Sequence, residues 1–401
     1  MSNCTMEEVY VVAACRTPIG KMGGALKSMT VADLSAHVFK EIVKRGNITP
    51  DMVDEIVMGE TRPSAAIHNV ARHAALLAGF PYEVTAFTIQ QACSSGMAAI
   101  QNAANKIKVG MADIMIAGGV ESMSNAPFFT NGIRYGAGTG DLTVYDSITE
   151  SQIGAQPSSI FGRMTMGPTA ETVARQYGIT REEQDAFAHQ SQVRYQAAYE
   201  AGKFDEIAPV TIVPRKGDPI VVDKDEHPRL TSPEKLATLK PVFQKDGTIT
   251  VGNACGRNDG AAVVLLMSGK KVKELGVKPM AKIIGYSTAG VDPRVMGIGP
   301  VPAVKKVLKQ LNMTIDQMDL IELNEAFAAQ AVACVKELGI DQEKLNVNGG
   351  AIALGHPAGC TGGRLVGTLC YELQRRPEAK YALATLCVGG GFGSSVVLEK
   401  V

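Results

Sequence analysis

The chain has 401 residues, 45% of them hydrophobic and 20% charged, as in ordinary globular proteins, so disorder and collagen-like structure are excluded. Forty Lys and Arg balance forty Asp and Glu, and this zero net charge argues against a nucleic-acid-binding protein, which usually carries a basic excess. No apolar run approaches the ~20 residues that span a bilayer, and the first residues lack the features of a signal peptide. We therefore expect a cytoplasmic protein that binds neither nucleic acid nor membrane.

The cysteines give no sign of a metal site or of a disulfide framework. They stand at positions 4, 15, 93, 255, 334, 360, 370 and 387, without a Cys-x-x-Cys pair or a Cys/His cluster. We expect no bound metal, and we expect most of these cysteines to be reduced, buried, small hydrophobic residues. One or two of them are candidates for chemistry.

The first 120 residues predict strands and helices in alternation. Apolar strands are predicted at 9–13, 86–90 and 113–117, and a helix is predicted at 93–108. Residues 49–60 contain a Thr-x-Asp turn followed by another short strand. This order is typical of βαβ units, and it predicts a largely parallel sheet with right-handed crossovers.

The same order returns later in the chain. Residues 314–325 match residues 49–60 at five of twelve positions, with an offset of 265. The predicted elements around this second copy lie at 281–284, 345–348, 361–373 and 382–388. Chance similarity is the alternative, but the wider order of elements favours a duplicated unit with a functional crevice between the copies.

Residues 121–250 separate the two copies and do not follow the same order of strands and helices. Thr180 and Glu183 form a capping-box pattern that opens a long helix stopping at Gly202. The strongly charged segment 215–229 is interpreted either as a solvated face or as a lid over the crevice.

Cys93 lies where an apolar strand turns into a helix of small residues. A thiol at a helix N-terminus faces free N–H groups and the positive end of the helix dipole, and both favour the nucleophilic thiolate. Considered alone, the pattern fits a buried packing cysteine better.

His356 is predicted in a loop after a strand, between a glycine and a proline. Such loops carry sites at the carboxyl ends of parallel strands, and histidine is the usual proton acceptor near neutral pH. A structural turn histidine fits the pattern equally well. His68 and His73 are interpreted as structural.

Cys387 precedes a glycine-rich run at 389–393, which we place at the end of the last buried strand. Glycines there permit close approach of the backbone to a ligand. The run does not match the dinucleotide fingerprint, so a nicotinamide-dependent enzyme is a weak alternative.

Several segments, in order along the chain, resemble signatures of the thiolase family. They are residues 92–96, 166–171, 252–260, 324–328, 355–359 and 387–391. The resemblance extends over essentially the whole chain. It implies a five-layered αβαβα fold, which is an α/β class, with two similar halves and an inserted loop domain.

The resemblance also implies domain boundaries. The first half is 1–120, completed by 250–272; the loop and CoA-binding domain is 121–249; the second half is 273–401.

The implied chemistry is reversible Claisen condensation of acyl-CoA thioesters, or thiolysis of a 3-oxoacyl-CoA, with coenzyme A thioesters as substrates and no other cofactor. The resemblance implies that Cys93 carries the acyl group, that His356 accepts its proton, and that Cys387 moves the α-proton. Asn324 would hold a water that, with His356, stabilises the enolate oxygen. Backbone N–H groups of Cys93 and Gly389 would bind the thioester oxygen.

For coenzyme A, the resemblance points to Arg229 near the adenine, to Phe243 along the pantetheine arm, and to Cys255 where a serine is usual. The residues expected at the narrow acyl end are Met166, Met296 and Phe327. Packing in the core is the alternative for the two methionines.

Other positions also depart from the family pattern without removing a catalytic group. Arg257 replaces an aliphatic residue, and Cys360 and Thr361 replace a smaller Ala-Ser pair. The leading expectation is synthesis of acetoacetyl-CoA from two molecules of acetyl-CoA. The alternative is thiolysis of longer or functionalised 3-oxoacyl-CoAs, including anionic ones if Arg257 faces the pocket.

Two further expectations concern assembly and regulation. The family implies a homodimer or homotetramer, with a loop near 124–145 as the candidate tetramer contact. A reversible disulfide between Cys93 and Cys387 requires a Cα separation below ~7 Å. A non-catalytic CoA-binding protein on the same fold is a third functional class, against which the intact Cys93, His356 and Cys387 argue.

Overall fold

A computed structural model describes residues 6–63 and 66–401, so Cys4 lies outside the described residues. The strands are β1 Val9–Arg16, β2 Gly20–Lys21, β3 Glu55–Gly59, β4 Thr85–Ile89, β5 Ile114–Ser122, β6 Phe128–Phe129, β7 Tyr145–Asp146, β8 Val210–Ile212, β9 Ile220–Val222, β10 Asn258–Ser268, β11 Ala281–Gly290, β12 Leu320–Leu323, β13 Tyr381–Val388 and β14 Phe392–Lys400. The helices are α1 Val31–Arg45, α2 Val70–Ala78, α3 Ser95–Lys108, α4 Ser147–Ile153, α5 Ser158–Phe161, α6 Met166–Gln176, α7 Arg181–Glu200, α8 Pro233–Ala237, α9 Gly269–Leu275, α10 Pro300–Leu311, α11 Ala328–Leu338, α12 Ala351–Leu354 and α13 Ala358–Arg375. Among the described residues, no helix is long and apolar enough to cross a membrane.

The main sheet repeats one arrangement twice. Its strand order is β12-β13-β14-β11-β1-β10-β5-β3-β4, and the two halves meet where β1 pairs with β11. In this order β1, β3, β5 and β10 occupy the places that β11, β12, β13 and β14 occupy in the other half. The duplicated architecture predicted from the repeat is therefore confirmed.

The prediction of a largely parallel sheet is wrong. Parallel pairing is found between β3 and β4, β3 and β5, and β12 and β13, whereas β1–β10, β10–β5, β1–β11, β11–β14 and β13–β14 are antiparallel. In each half the last strand runs back beside an earlier strand of the same half. β10 lies beside β5 and β14 lies beside β13, and both pairs are antiparallel. The long insertion fills the β5–β10 connection, whose counterpart between β13 and β14 is three residues long.

The strand predicted at 345–348 is also absent. Leu345 forms a single bridge with Ile321, and Asn346 adopts a positive φ of 42°. The Asn346 amide accepts a hydrogen bond from the Leu323 N–H and donates one to the Leu323 carbonyl, both at 2.9 Å. A side chain thus replaces the backbone ladder and ends the strand pairing.

The glycine-rich run after Cys387 does not follow the last strand, as we had placed it. It forms the hairpin turn between β13 and β14, because Gly390 and Gly391 have φ of 93° and 90°, a region that residues with a Cβ rarely adopt. The Gly389 N–H is therefore held at a sharp turn at the carboxyl end of β13.

The three largest hydrophobic cores among the described residues alternate with the two half-sheets. Helices α1 and α2 cover the outer face of the first half-sheet, and α10 and α11 cover the outer face of the second. Helices α3 and α13 lie between the half-sheets, with Ile100 and Leu369 packed among side chains of both. The result is the predicted five-layered αβαβα fold.

The insertion carries the predicted long helix, α7. Thr180 and Glu183 form its capping box, and the chain leaves the helix through Gly202 at φ 64°. The charged segment 215–229 is not simply a solvated face, because Asp225 is buried and accepts two hydrogen bonds from Arg16 at 2.6 and 3.0 Å.

Candidate active site

A cavity of about 630 Å³ lies at the carboxyl ends of the parallel strands β3, β4 and β13. The predicted site residues that line it are Cys93, His356, Cys387, Gly389, Phe243, Cys255, Met166, Met296 and Phe327. Asn324 and Arg229 do not line it, nor does any part of the charged segment 215–229. The lid interpretation of that segment is therefore not supported.

The turn between β4 and α3 presents Cys93. Ala92 has a positive φ of 46°, which is uncommon for a residue with a Cβ and costs on the order of 1 kcal/mol. Ser95 stabilises this turn, because its hydroxyl accepts the Gln91 N–H at 2.8 Å and donates to the Ala92 carbonyl at 2.7 Å. The helix begins at Ser95, two residues after the predicted start, and the thiol precedes it.

Glycines bring the Cys93 and His356 segments together. A methyl group at Gly96 would lie 2.6 Å from the Gly359 carbonyl oxygen, and one at Gly119 would lie 1.9 Å from the same atom. Any larger residue at these positions would push α3 and the sheet away from α13. The small residues after Cys93 thus permit the close helix approach that the sequence predicted.

His356 is held by two residues that the sequence analysis did not assign. Its N–H on the main chain donates to Asn258 Oδ1 at 3.0 Å, and its Nδ1 lies 2.7 Å from Thr361 Oγ1. The Thr361 hydroxyl donates its proton to the Pro357 carbonyl at 3.0 Å, so it accepts a hydrogen bond from Nδ1–H. This assigns the proton to Nδ1 and leaves Nε2 with a lone pair. Nε2 has no hydrogen-bond partner among the described residues.

The surroundings keep His356 neutral. Burial lowers its pKa to about 3, and the positive charges of Arg364 and Arg62 act in the same direction. A neutral imidazole with a free Nε2 is a proton acceptor throughout the physiological pH range.

The resting thiol of Cys93 does not have the lowered pKa that its place near a helix N-terminus predicted. Burial raises its pKa, although a hydrogen bond from the Gly389 N–H and the charge of Arg62 oppose this effect. The rise in pKa caused by desolvation is thus larger than the decrease expected from the helix N-terminus. Cys93 therefore needs a base, and the Gly389 N–H already points to its sulfur.

Cys387 lies at the end of β13 and is 1% exposed. Its pKa is raised well above the usual value by burial, and nearby Cys93, Cys334 and Cys255 add to this effect. Cys93, Cys255 and Cys387 are free thiols, so the disulfide between Cys93 and Cys387 stays a prediction.

Asn324 lies behind the cavity wall, one residue beyond β12. It is fully buried, and its main-chain N–H donates to the Thr385 carbonyl at 3.0 Å. Neither polar atom of its side chain has a partner among the described residues. Because a buried amide without a hydrogen bond is costly, Asn324 is suited to hold a water or a substrate oxygen.

Apolar side chains form one wall of the cavity. Phe243 packs edge-on to Phe327, with ring centroids 6.1 Å apart, and it covers Gly167. The sulfur of Met166 approaches Gly389, and Met296 is buried in the same core. These side chains line the same cavity as Cys93. Met296 belongs to the hydrophobic core and Met166 packs against it, so the packing role is confirmed, and the role of both at the acyl end stays a prediction.

Two comparisons with families decide the relationship. The profile described as "Thiolase, N-terminal domain" matches residues 9–270, and "Thiolase, C-terminal domain" matches residues 277–400. The chain belongs to the thiolase family. The resemblance seen in its motifs is thereby confirmed.

Known thiolases are similar to this one over its full length. An acetyl-CoA acetyltransferase of Syntrophomonas wolfei is 50% identical over 98% of this chain and 99% of the relative. The crystal structure of the Bacillus anthracis acetyl-CoA acetyltransferase is 48% identical, with a TM-score of 0.96 and complete coverage of both chains. The human mitochondrial 3-ketoacyl-CoA thiolase in complex with CoA is 42% identical, with a TM-score of 0.93 and 99% coverage of each.

The sequence analysis of this thiolase missed a polar wall of its cavity. The wall consists of Thr61, Arg62, Gln90 and Gln91, which directly follow β3 and β4. Their position after neighbouring parallel strands was the available signal. Arg257, which we had noted, also lines the cavity, whereas Arg229 is exposed outside it and donates to the Val251 carbonyl.

Proposed function

We propose that the protein is an acetyl-CoA C-acetyltransferase, which condenses two acetyl-CoA molecules reversibly to acetoacetyl-CoA and CoA. One observation carries the proposal: two thiols, Cys93 and Cys387, and the unpartnered Nε2 of His356 line a single cavity. Acyl transfer through a covalent intermediate needs this combination of a nucleophile, a base and a second proton-transfer group. The names of the relatives, acetyl-CoA acetyltransferases at 45–50% identity, support the same reaction.

In the first step, Cys93 sulfur attacks the carbonyl carbon of acetyl-CoA while its proton passes to His356 Nε2. The main-chain N–H groups of Gly389 and Cys93 both form hydrogen bonds to the Cys93 sulfur. They are therefore close enough to stabilise the oxyanion that forms on the attacked carbonyl group. The bond from carbon to CoA sulfur then breaks, and the leaving CoA takes the proton from His356. Cys93 is left acetylated.

In the second step, the Cys387 thiol gives its proton to His356 Nε2, and the resulting thiolate removes a proton from the methyl group of a second acetyl-CoA. The carbanion attacks the acetyl carbon on Cys93, and Cys93 leaves as a thiolate. Transfer of the proton from His356 to Cys93 restores both thiols and the neutral imidazole. Because burial raises the pKa of Cys387, its thiolate, once formed, is a strong base for the methyl proton.

The remaining site assignments belong to the same proposal. Asn324 is proposed to hold a water that stabilises the enolate oxygen with His356, which agrees with its buried, unpartnered amide. Phe243 and Cys255 are proposed to contact the pantetheine arm. Arg229 is proposed to contact the adenine end of coenzyme A outside the cavity.

Separate variants test the two thiols. Cys387→Ala should still accept an acetyl group on Cys93 but should lose exchange of deuterium into the methyl group of acetyl-CoA. Cys93→Ala should lose both the adduct and condensation. Equal loss of the adduct in both variants would contradict the division of roles, and full condensation activity in Cys93→Ser would contradict Cys93 as the acyl carrier. A wild-type protein that binds CoA but forms no adduct and no acetoacetyl-CoA would favour a non-catalytic CoA-binding protein.

Chain length distinguishes the alternative function. The alternative function is thiolysis of longer 3-oxoacyl-CoAs, and one relative is a human mitochondrial 3-ketoacyl-CoA thiolase. Because the bulky apolar residues Met166, Met296 and Phe327 line the cavity, we expect thiolysis of acetoacetyl-CoA to be faster than that of longer uncharged 3-oxoacyl-CoAs. A clear preference for six or more uncharged carbons would favour the alternative.

Assembly and location complete the proposal. The edge strand β4 pairs only with β3 among the described residues, and its residues 86–89 are partly exposed and mostly apolar. An open apolar edge favours pairing with a second copy, so we propose a homodimer or a homotetramer acting in the cytoplasm. Light scattering on the purified protein tests the stoichiometry; a monomer at micromolar concentration would contradict it.

A further inference from the structure

A buried carboxylate that takes no part in the proposed steps lies directly after Asn324. Glu325 is 1% exposed and does not line the cavity, so it does not meet the substrate. A carboxylate in the interior is costly unless its oxygens accept hydrogen bonds. The partners of Glu325 therefore indicate which parts of the chain it holds together.

The two oxygens of Glu325 accept hydrogen bonds from three separate segments. Oε1 accepts one from Asn346 Nδ2 at 2.7 Å. Oε2 accepts one from the Ser191 hydroxyl of α7 at 2.7 Å and one from the main-chain N–H of Ile352 at 3.1 Å. Burial raises the pKa of Glu325, and these three hydrogen bonds oppose the rise. The carboxylate thus connects the insertion, the turn around Asn346 and the short helix α12 to the end of β12.

The hydrogen bond from Ile352 anchors the segment that carries His356. Helix α12 has four residues and ends two residues before His356, and a helix of this length is not stable on its own. The N–H of Gly350, which precedes the helix, donates to the Ser191 hydroxyl at 3.0 Å. Glu325 therefore holds this end of α12 both directly and through Ser191. A shift of α12 would move the imidazole.

The hydrogen bond from Asn346 holds the chain around Asn324. The Asn346 side chain exchanges two hydrogen bonds with the main chain of Leu323 and donates a third to Glu325. Asn324 lies between these two residues, and its own N–H donates to the Thr385 carbonyl. Its main chain is thus fixed on both sides, while its side-chain amide has no partner among the described residues.

We propose that Glu325 is a positioning residue, which holds the Asn324 amide and the His356 imidazole in one geometry while the enolate forms. The inference rests on the proposed acyl transfer and adds a residue to its second step. Glu325 acts through the segments that it connects and touches neither substrate nor reacting atoms.

Glu325→Gln tests the proposal with almost no change of shape. A glutamine amide has one acceptor oxygen instead of two, so at least one of the three donors loses its partner. Small displacements of positioned groups have large effects on rate. We expect the rate of deuterium exchange into the methyl group of acetyl-CoA, counted per acetylated Cys93, to fall at least about tenfold.

Counting per acetylated site excludes molecules that fail to fold. If Glu325 only stabilised the fold, the exchange rate per acetylated site would equal that of the wild type, and this result would overturn the proposal. The KM for acetyl-CoA should change little, because Glu325 does not line the cavity.

Ser191→Ala is the second variant. It removes the hydroxyl that joins Glu325 Oε2 to the Gly350 N–H, and it should lower the same rate about fivefold, as expected for the loss of one hydrogen bond. If Glu325→Gln gives no folded protein, Ser191→Ala decides, and an unchanged rate per acetylated site overturns the proposal.

Glu206→Gln is the matched control. Glu206 is also a buried carboxylate, but its partners Arg16 and Thr368 do not line the cavity. The variant should keep the wild-type exchange rate per acetylated site. A loss as large as that in Glu325→Gln would overturn the specific role of Glu325.

Failure of this proposal differs from failure of the proposed function. Exchange in the wild type with an unchanged rate in Glu325→Gln overturns the positioning role alone. If the wild type forms no adduct and exchanges no deuterium into acetyl-CoA, the proposed function fails, and hydrogen exchange of the main-chain amides at 350–356 decides the positioning role. Faster amide exchange in Glu325→Gln than in both the wild type and Glu206→Gln supports it, and equal exchange overturns it.

Discussion

Thr361 decides which ring nitrogen of His356 is free to accept a proton. Its hydroxyl accepts from Nδ1–H while donating to the Pro357 carbonyl, so the proton is kept away from Nε2. Thr361→Val removes this acceptor with little change of shape. Because a positioned general base contributes ~10²–10⁴-fold, we expect kcat for acetyl transfer to fall at least about tenfold. Isotope-edited NMR of the ring nitrogens should show the proton redistributed toward Nε2.

Thr361→Ser is the control for this change. A serine hydroxyl can make both hydrogen bonds, so the variant should keep the Nδ1–H tautomer and most of the activity. If Thr361→Val retained the wild-type tautomer and kcat, Thr361 would have only a packing role.

The pH dependence of acylation follows from the same residue. An ordinary histidine titrates near pH 6.5, but burial lowers the pKa of His356 to about 3, so it stays a neutral base far below pH 6.5. The pKa of Cys93 is raised, so its thiol keeps its proton until alkaline pH. We therefore expect kcat/KM for acetyl-CoA to be level from about pH 5 to pH 8. An acid limb centred near pH 6.5 in stopped-flow measurements would contradict this assignment.

At the scale of elements, the packing of α13 against α3 positions the His356 and Cys93 segments. A methyl group at Gly362 would lie 2.1 Å from the Met97 main-chain nitrogen, whereas at Gly367 the nearest atom would be 3.5 Å away, an ordinary contact. Gly362→Ala should therefore destabilise the protein by roughly 3 kcal/mol or more and reduce activity. Gly367→Ala, on the same helix, should stabilise it by about 0.5–1 kcal/mol through helix propensity.

Chemical unfolding of the two variants measures the difference. Similar midpoints for Gly362→Ala and Gly367→Ala would show that the helix crossing tolerates a wider spacing, and the account of how the site is positioned would then be wrong.

Elements with a strong local sequence pattern were predicted correctly. Elements that end or pair through hydrogen bonds of distant side chains were not. The capping box of α7 is a local signal, and it was found. The Asn346 side chain takes the hydrogen bond of Leu323, which lies 23 residues away in the sequence. A local pattern does not show such a contact, so the segment 345–348 was predicted as a strand. The glycine-rich run at 389–391 was recognised, but the strand β14 that follows it was not predicted. The run was therefore placed after the last strand instead of in a hairpin turn.

Over the whole molecule, a buried ionic network connects the insertion to the sheet. Arg16, at the end of β1, is fully buried against Asp225 and Glu206 of the insertion. Removal of Asp225 leaves the buried Arg16 with only Glu206, 3.4 Å away, so Asp225→Ala should cost ~3–5 kcal/mol of stability. Glu274→Ala, which breaks an exposed pair with Lys271, should cause no measurable loss in the same unfolding experiment. Equal midpoints would contradict the structural role of the network.

The repeat and the motifs predicted the architecture, and they singled out Cys93, His356 and Cys387, which line one cavity. Strand direction was not predicted, because the local pattern of a strand is the same whether its neighbour is parallel or antiparallel. Thr361 gained its proposed role only from the fold, because that role depends on the geometry of the His356 loop.

The central claim is that Cys93 carries the acyl group. Intact-protein mass spectrometry after brief incubation with acetyl-CoA tests it on the wild type and on Cys93→Ala. The account predicts one acetyl adduct on the wild type, mapped to Cys93, and none on the variant. An unmodified wild-type protein that still binds CoA, or an adduct that persists in Cys93→Ala, would contradict it.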